Sequence, residues 1–157
     1  MDNEVQSFYG NRLRVRACGI CVMDESILMV NHSGISDQDF WAPPGGGIQF
    51  GEHATACLKR EFKEEVGLTV EIGKFLFACE FIQNPLHAIE LFFEVQPTDH
   101  QIRLGSDPEP GSPWILSAVK FMPWPEIQNL PPSHCHGIFK LLDYPSKITA
   151  LSGYFKV

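Results

Sequence analysis

The chain has no apolar run approaching the roughly 18–20 residues that a bilayer span requires. Its N-terminal stretch, MDNEVQSFYGNRLRVR, holds no apolar segment of signal-peptide type. Both absences lead to the expectation of a cytoplasmic protein with no membrane contact. Positive charge is scarce: 12 Lys and Arg stand against 19 Asp and Glu, for a formal net charge of −7. A binder of nucleic-acid backbone needs a basic face, so a nucleic-acid polymer is excluded as partner. A small phosphorylated substrate is not excluded, provided that a metal ion or a few placed arginines supply local positive charge. Internal repeats and low-complexity segments are also missing.

Cysteines number five, an odd count at scattered positions, which suits a reducing compartment better than a disulfide framework. Cys18 and Cys21 make a C-x-x-C. However, RVRACGICVM reads as a strand, and side chains three apart on a strand face opposite sides. With no second pair at zinc spacing, both read as buried small hydrophobes. The sequence SHCH at 133–136 lacks a partner motif too and reads as the surface start of a helix.

At 157 residues, 44% hydrophobic and 11% aromatic, residues 1–157 suffice for one domain with a core of its own. Residues 12–33 read as two strands about a turn at Asp24-Glu25-Ser26. From Ala17 to Met23 both faces are apolar, the mark of a central strand. Arg12, Arg14 and Arg16 alternate with Leu13, Val15 and Ala17, so the arginines share one face. FWAPPGGG reads as extended, because Pro43 and Pro44 disfavour helix. A helix is predicted over 53–66, with Gly67 as its stop. LTVEIGKFLFACEFI and HAIELFFEVQP are strand-like; in the second, Glu90 and Glu94 share a face that reads as a solvated edge. Residues 100–114 form a turn-rich loop, AVKFMPW a strand, PEIQNL a short helix with Pro125 in its first turn, and 133–144 a stretch ending as helix. The pattern is α/β, a mixed sheet with helices on its faces.

The most informative stretch runs from GGGIQFGE into HATACLKREFKEEVGLTV. On a regular wheel at about 100° per residue, Ala54, Cys57 and Leu58 form an apolar stripe that continues into Glu61, Glu64 and Glu65. Lys59 and Lys63 fall on the opposite face, so the glutamates are not simply the wet side. Three carboxylates within one turn repel each other and resist desolvation. A hard divalent cation resolves that conflict, because Mg²⁺ and Mn²⁺ take carboxylates, phosphates and water. Arg60 lies one turn from Glu64 and is placed to orient a carboxylate. Gly45, Gly46 and Gly47 allow close backbone approach, with carbonyls for a cation and N–H groups for phosphate oxygens. Neither a P-loop lysine nor a G-x-G-x-x-G register is present. The competing reading of the glutamates is a solvated helix end laced with Lys and Arg.

Residues 46–68 read G-x5-E-x7-R-E-U-x-E-E-x-G-U, where U is bulky and apolar. The fixed positions are Gly46, Glu52, Arg60, Glu61, Phe62, Glu64, Glu65, Gly67 and Leu68. This resembles the Nudix box at every position. FWAPPGGG is similar to the family's lead-in, departing at Pro43, where a bulky residue is usual, and AVKFMPWPEIQNLPP is similar to its late strand and turn. The resemblance implies an α/β/α sandwich around a mixed β-sheet. It also implies Mg²⁺- or Mn²⁺-dependent hydrolysis of a diphosphate linkage in a small phosphorylated nucleotide by water attack. Carried over, Glu61 and Glu65 are the main metal ligands, Glu64 a third ligand or an acid–base group, and the Gly46 carbonyl a further ligand. Glu52 and Arg60 form an orienting pair.

Many family members take their base from a mobile loop outside the box. Here the 100–114 loop offers Glu109, with Asp107 behind it, and Glu90 and Glu94 are weaker candidates; the alternative for Glu109 is an ordinary acidic loop residue. Arg14 and Arg16 are candidates for a substrate phosphate, with an exposed strand face as the alternative. Gly45 and Gly47 are candidates to cradle the same group. Trp41 is a candidate stacking partner, as are Phe50 and Phe81, with core packing as the competing role. Pro85, seventeen residues past Leu68, resembles an ADP-ribose pyrophosphatase marker. ADP-ribose or a nucleotide sugar is therefore favoured over a nucleoside triphosphate. The alternative is a nucleotide-sensing Nudix-like domain without hydrolysis, although such domains often lose box glutamates that this chain keeps. Family habit suggests a homodimer.

Overall fold

A computed structural model describes residues 2–33, 38–99, 101–105 and 115–157. A short helix, α1 (Asp2–Tyr9), leads into β1 (Leu13–Ile20) and β2 (Val22–Met23). Asp24 and Glu25, at φ 48° and 60°, form a two-residue turn with both centres left-handed. It returns the chain into β3 (Ser26–Ser33), pairing Val22 with Ile27 and Met23 with Ser26. Then follow β4 (Phe40–Ala42), β5 (Gly45–Gly47), α2 (Ala54–Glu61), β6 (Val70–Gln83), β7 (Leu86–Pro97), β8 (Ile115–Pro123), α3 (Trp124–Asn129) and β9 (Gly153–Lys156). No helix among the described residues is long and apolar enough to cross a membrane.

Two sheets result. One has the order β5-β1-β7-β6-β9 and is mixed: β1 runs parallel to β7 and antiparallel to β5, and β6 parallel to β9. The other is built on β3, which pairs with β2, β4 and β8, all antiparallel. The mixed α/β architecture expected from the sequence is the one observed. β1 lies inside its sheet, between β5 and β7, as its run of residues apolar on both faces indicated. Cys18 and Ile20 enter a core with Phe77, Phe92, Met29 and Ile138, whereas Ala17 enters a second core with Leu58, Phe62 and Val30 beneath α2. Cys18 and Cys21 belong to different cores and all five cysteines are free.

Three expectations are corrected. Glu90 is not on a solvated edge: β7 lies between β1 and β6, and Glu90 is only 4% exposed. The 133–144 stretch is not an α-helix but short 3-10 turns, Pro132–His134 and Gly137–Leu141, followed by Pro145–Ala150. Prolines at 131, 132 and 145 and the glycine at 137 deny it a continuous ladder. Burial of Ile138 and Ile148 anchors the turns instead. The SHCH segment is accordingly no surface helix start: Cys135 and His136 are buried, and Cys135 bridges Trp41. The sequence reading assigned no element to α1 or β9.

Candidate active site

The site forms where β5 and α2 meet. β5 pairs antiparallel with β1, setting Gly45 opposite Cys18, Gly46 opposite Ala17 and Gly47 opposite Arg16. Glycine is demanded here by close approach. A Cβ on Gly46 would lie 2.2 Å from the carboxyl carbon of Glu61, and one on Gly45 would lie 2.3 Å from the Ala17 carbonyl oxygen. Leu58 and Cys57, both fully buried, seat α2 on β1 and β5. After Glu61 the helix widens into a π-helical turn, Phe62–Val66, which ends at Gly67 with φ 72°. Such widened turns recur at functional sites. This one carries Glu64 and Glu65, so both depart from the regular wheel. Segment 101–105 closes over it: Gly105 N–H donates to the Glu65 carbonyl at 2.8 Å and Arg103 N–H to the Val66 carbonyl at 3.0 Å.

Arg60 is the hub. Its Nε donates to Glu52 Oε1 at 2.9 Å and its Nη2 to Glu52 Oε2 at 3.1 Å. Nη1 donates to Glu61 Oε1 at 2.7 Å and to Glu64 Oε2 at 3.0 Å, and Nη2 reaches the Gly47 carbonyl at 3.3 Å. The Arg60 hydrogen bond, chiefly, holds the Glu52 carboxyl below the usual range, assisted by the Gln49 N–H. Burial pushes the Glu61 carboxyl up, against the pull of Arg60. Glu61 and Glu65 are each 3% exposed, and Glu64 is half-buried. Glu65 Oε2 accepts the Gly45 N–H at 3.1 Å.

The sequence candidates therefore divide. Gly45, Gly46, Gly47, Glu52, Arg60, Glu61, Glu64 and Glu65 come together. Of the arginines on β1, Arg16 reaches the Gly45 carbonyl through Nη2 at 3.1 Å. The Arg14 guanidinium instead stacks on Tyr9, 4.5 Å from the ring centroid. Trp41 lies in the core, 8% exposed, with Lys120 Nζ 5.2 Å from its ring. Phe50 is fully exposed and Phe81 half-buried. Glu109 and Asp107 lie outside the described residues. Pro85 occupies the two-residue connection between β6 and β7, a placement that turn geometry explains without reference to substrate. Glu90, which contacts Arg16 directly, was only a weaker candidate for the base, and His136, which reaches Arg16 through Glu90, was missed as a site residue. No local signal could have tied them to Arg16, since sheet register alone brings them to β1.

The donors suit a hard divalent cation in kind: carboxylates at Glu61, Glu64 and Glu65 beside a glycine strand whose cradle a single Cβ would fill. As they stand among the described residues, no three His, Cys, Asp or Glu side chains are grouped tightly enough to hold a metal ion. The reason is visible in the contacts: Arg60 draws Glu61 and Glu64 to itself, while Gly45 holds Glu65.

The family model described as NUDIX domain matches residues 12–143. The chain belongs to the Nudix family. It is 30% identical over 88 residues to human diphosphoinositol polyphosphate phosphohydrolase 3-alpha, an alignment covering 54% of this chain and 52% of that protein. The chain thus spans about half the length of the curated relatives it matches. Among solved structures, a MutT protein from Methanosarcina mazei superposes with a TM-score of 0.66 at 16% identity, over 85% of this chain and 90% of that one. An ADP-ribose pyrophosphatase from Streptococcus suis gives 0.62 at 16% identity, over 90% and 98%. A UDP-X diphosphatase gives 0.66 at 19% identity, over 98% and 72%. At such identities the structural matches speak for the fold.

Proposed function

We propose that this chain hydrolyses a diphosphate linkage in a small phosphorylated molecule, with Mg²⁺ or Mn²⁺ as cofactor. The observation that carries this reading is the burial of Glu61 and Glu65, each 3% exposed, against a strand made only of glycine. Burial raises the Glu61 carboxyl in spite of Arg60 and Arg16, so carboxylates removed from water here favour an additional positive charge. When bound, a divalent cation supplies that charge and neutralises the diphosphate.

Glu61, Glu65 and the Gly46 carbonyl would hold the cation, with Glu64 as third carboxylate. Arg60, fixed by Glu52, orients Glu61 and Glu64 from the protein side. The N–H groups and carbonyls of Gly45 and Gly47 border the same place. Glu64, partly open to solvent, and Glu109 are the candidates for taking the proton of the attacking water. Arg16, on β1 beside the glycine strand, is proposed as the arginine for a phosphate oxygen ahead of Arg14, whose guanidinium stacks on Tyr9.

The substituent on the diphosphate is proposed to be a nucleoside, as in ADP-ribose or a nucleotide sugar, ahead of a nucleoside triphosphate. The names of the similar proteins support the shared part: one is a diphosphoinositol polyphosphate phosphohydrolase, one an ADP-ribose pyrophosphatase, one a UDP-X diphosphatase. The test is a panel of ADP-ribose, nucleotide sugars, nucleoside triphosphates and diphosphoinositol phosphates with Mg²⁺ and with Mn²⁺, quantifying phosphate products. Turnover of at least one diphosphate is expected. Binding without turnover of any would replace this reading with that of a nucleotide sensor.

A further inference from the structure

Two charged or polar side chains buried beside the site, Glu90 and His136, are not used by the hydrolysis scheme, and they contact Arg16 directly and through Glu90. Arg16 and Glu90 are register partners across the parallel β1–β7 pair. Arg16 Nη1 donates to Glu90 Oε1 at 2.6 Å, while Nη2 donates to the Gly45 carbonyl at 3.1 Å. The other Glu90 oxygen, Oε2, lies 2.5 Å from His136 Nε2. His136 Nδ1 accepts the Ile138 N–H at 3.1 Å, which leaves Nε2 as the protonated nitrogen that donates to Glu90. His136 N–H also donates to the Trp41 carbonyl at 2.9 Å, on the strand just before the glycines. The Glu90 and His136 side chains are only 5% and 8% exposed.

Apolar residues would fill the space under β7 without the desolvation cost of a buried carboxylate and guanidinium. Arg16 Nε, moreover, is inaccessible and has no hydrogen-bond partner among the described residues. The guanidinium is therefore not placed to satisfy all its donors; it is placed so that two of them meet Glu90 and Gly45. Gly45 is gripped on both sides, by Arg16 at its carbonyl and by Glu65 at its N–H. The Gly45–Gly46 peptide that Arg16 orients also borders Gly46, against which Glu61 lies.

We infer that Glu90 and His136 are positioning residues of the diphosphate site: they hold Arg16, and Arg16 fixes the glycine strand between Glu61 and Glu65. The kinetic consequence rests on the hydrolase reading given above, whereas the positioning of Gly45 can be read without turnover.

The experiment compares Glu90→Gln, His136→Leu and His136→Gln with wild type. Hydrogen exchange of the Gly45 amide is followed by NMR, with the Leu28 amide in β3, bonded to the Cys21 carbonyl, as control. In Glu90→Gln and His136→Leu the Gly45 amide is expected to exchange about tenfold faster with Leu28 unchanged. For diphosphate turnover, kcat is expected to fall roughly tenfold to a hundredfold with little change in KM. His136→Gln, whose amide can still donate to Glu90, is expected to restore most of both. If Glu90→Gln does not fold, the two His136 variants carry the same comparison. Wild-type Gly45 exchange in His136→Leu, or acceleration spread equally over Gly45 and Leu28, would overturn the inference. Absence of any turnover by wild type would sink the hydrolase reading instead, and Gly45 exchange would still decide the positioning role.

Discussion

Arg60 grips Glu52 with two parallel bonds, Nε to Oε1 at 2.9 Å and Nη2 to Oε2 at 3.1 Å, and this leaves Nη1 aimed at Glu61 and Glu64. The pair lies eight positions apart in the chain, and the Gln49–Glu52 turn that leads into Glu52 is closed by Glu52 N–H on the Gln49 carbonyl. The ion pair thus aligns the guanidinium plane rather than merely neutralising it. Arg60→Lys keeps the charge and loses the fork. We expect kcat to fall on the order of tenfold to a hundredfold, as for the loss of a ligand-orienting contact. Unfolding free energy should fall by about 1–2 kcal/mol. Steady-state kinetics and urea unfolding check the two effects separately.

Gly45 and Gly46 are adjacent, yet substitution should fail differently at each. A Cβ on Gly46 meets the far end of the Glu61 side chain, which can swing away. Gly46→Ala is therefore expected to fold with a loss of about 1 kcal/mol while displacing Glu61 and removing most activity. A Cβ on Gly45 meets the Ala17 carbonyl oxygen and the Cys18 Cα, which are backbone and cannot move independently. Gly45→Ala should cost about 2–3 kcal/mol in thermal or denaturant unfolding. The reverse order of stability would count against this account of β5.

Glu65→Gln retains an oxygen that can accept the Gly45 N–H but loses the charge. Turnover should drop on the order of a thousandfold, with the fold intact by circular dichroism. A readout independent of turnover is the melting temperature with Mn²⁺. Metal at about 100 times its dissociation constant should stabilise wild type by about 2.7 kcal/mol, and the variant should gain much less at the same concentration. After chelation wild-type activity should vanish and return on adding Mg²⁺ or Mn²⁺. Near-wild-type turnover by Glu65→Gln would refute the metal-site assignment.

The buried Glu90 carboxyl makes acid stability testable. Burial pushes it up, but the contacts with His136 and Arg16 outweigh burial and hold it at about 2, below the ordinary 4.5. A depressed folded value means that the unfolded chain binds more protons across this window. The stabilisation is present above pH 4.5 and is lost as pH falls toward 2. Its size is roughly 3 kcal/mol at most. Urea unfolding measured from pH 5 down to about 2 should show a steeper loss for wild type than for Glu90→Gln. Parallel slopes would show that the Arg16–Glu90–His136 contacts do not govern the titration.

The carboxylate cluster was legible because its residues lie within one turn of each other and a fixed distance from the glycines. Local geometry, an i,i+4 spacing on a helix, is enough to put Glu61 and Glu65 near one face. The hidden part was the widening of that helix into the π-helical turn at Phe62–Val66, whose Glu65 and Val66 carbonyls accept N–H groups of the distant 101–105 segment. The C-terminal 3-10 turns were illegible for a related reason. Apolar residues at 138, 141 and 142 mimic helical spacing, whereas the conformation is set by what Ile138 and Ile148 pack against.

By itself the sequence determined the mixed α/β class, the central position of β1, the glycine strand, and the Arg60–Glu52–Glu61–Glu64–Glu65 grouping. Each follows from periodicity or from contacts among near neighbours in the chain, which backbone geometry enforces wherever the segment sits. Only the tertiary structure decided that Arg16, and not Arg14, serves the glycine strand, and that Trp41 is core. It alone turned Glu90 from a solvated acid into the buried link to His136. These outcomes depend on which strands become neighbours, because β7 shelters Glu90 only once it lies between β1 and β6. The parallel register that pairs Arg16 with Glu90 joins residues 74 positions apart, and no local pattern encodes such a pairing.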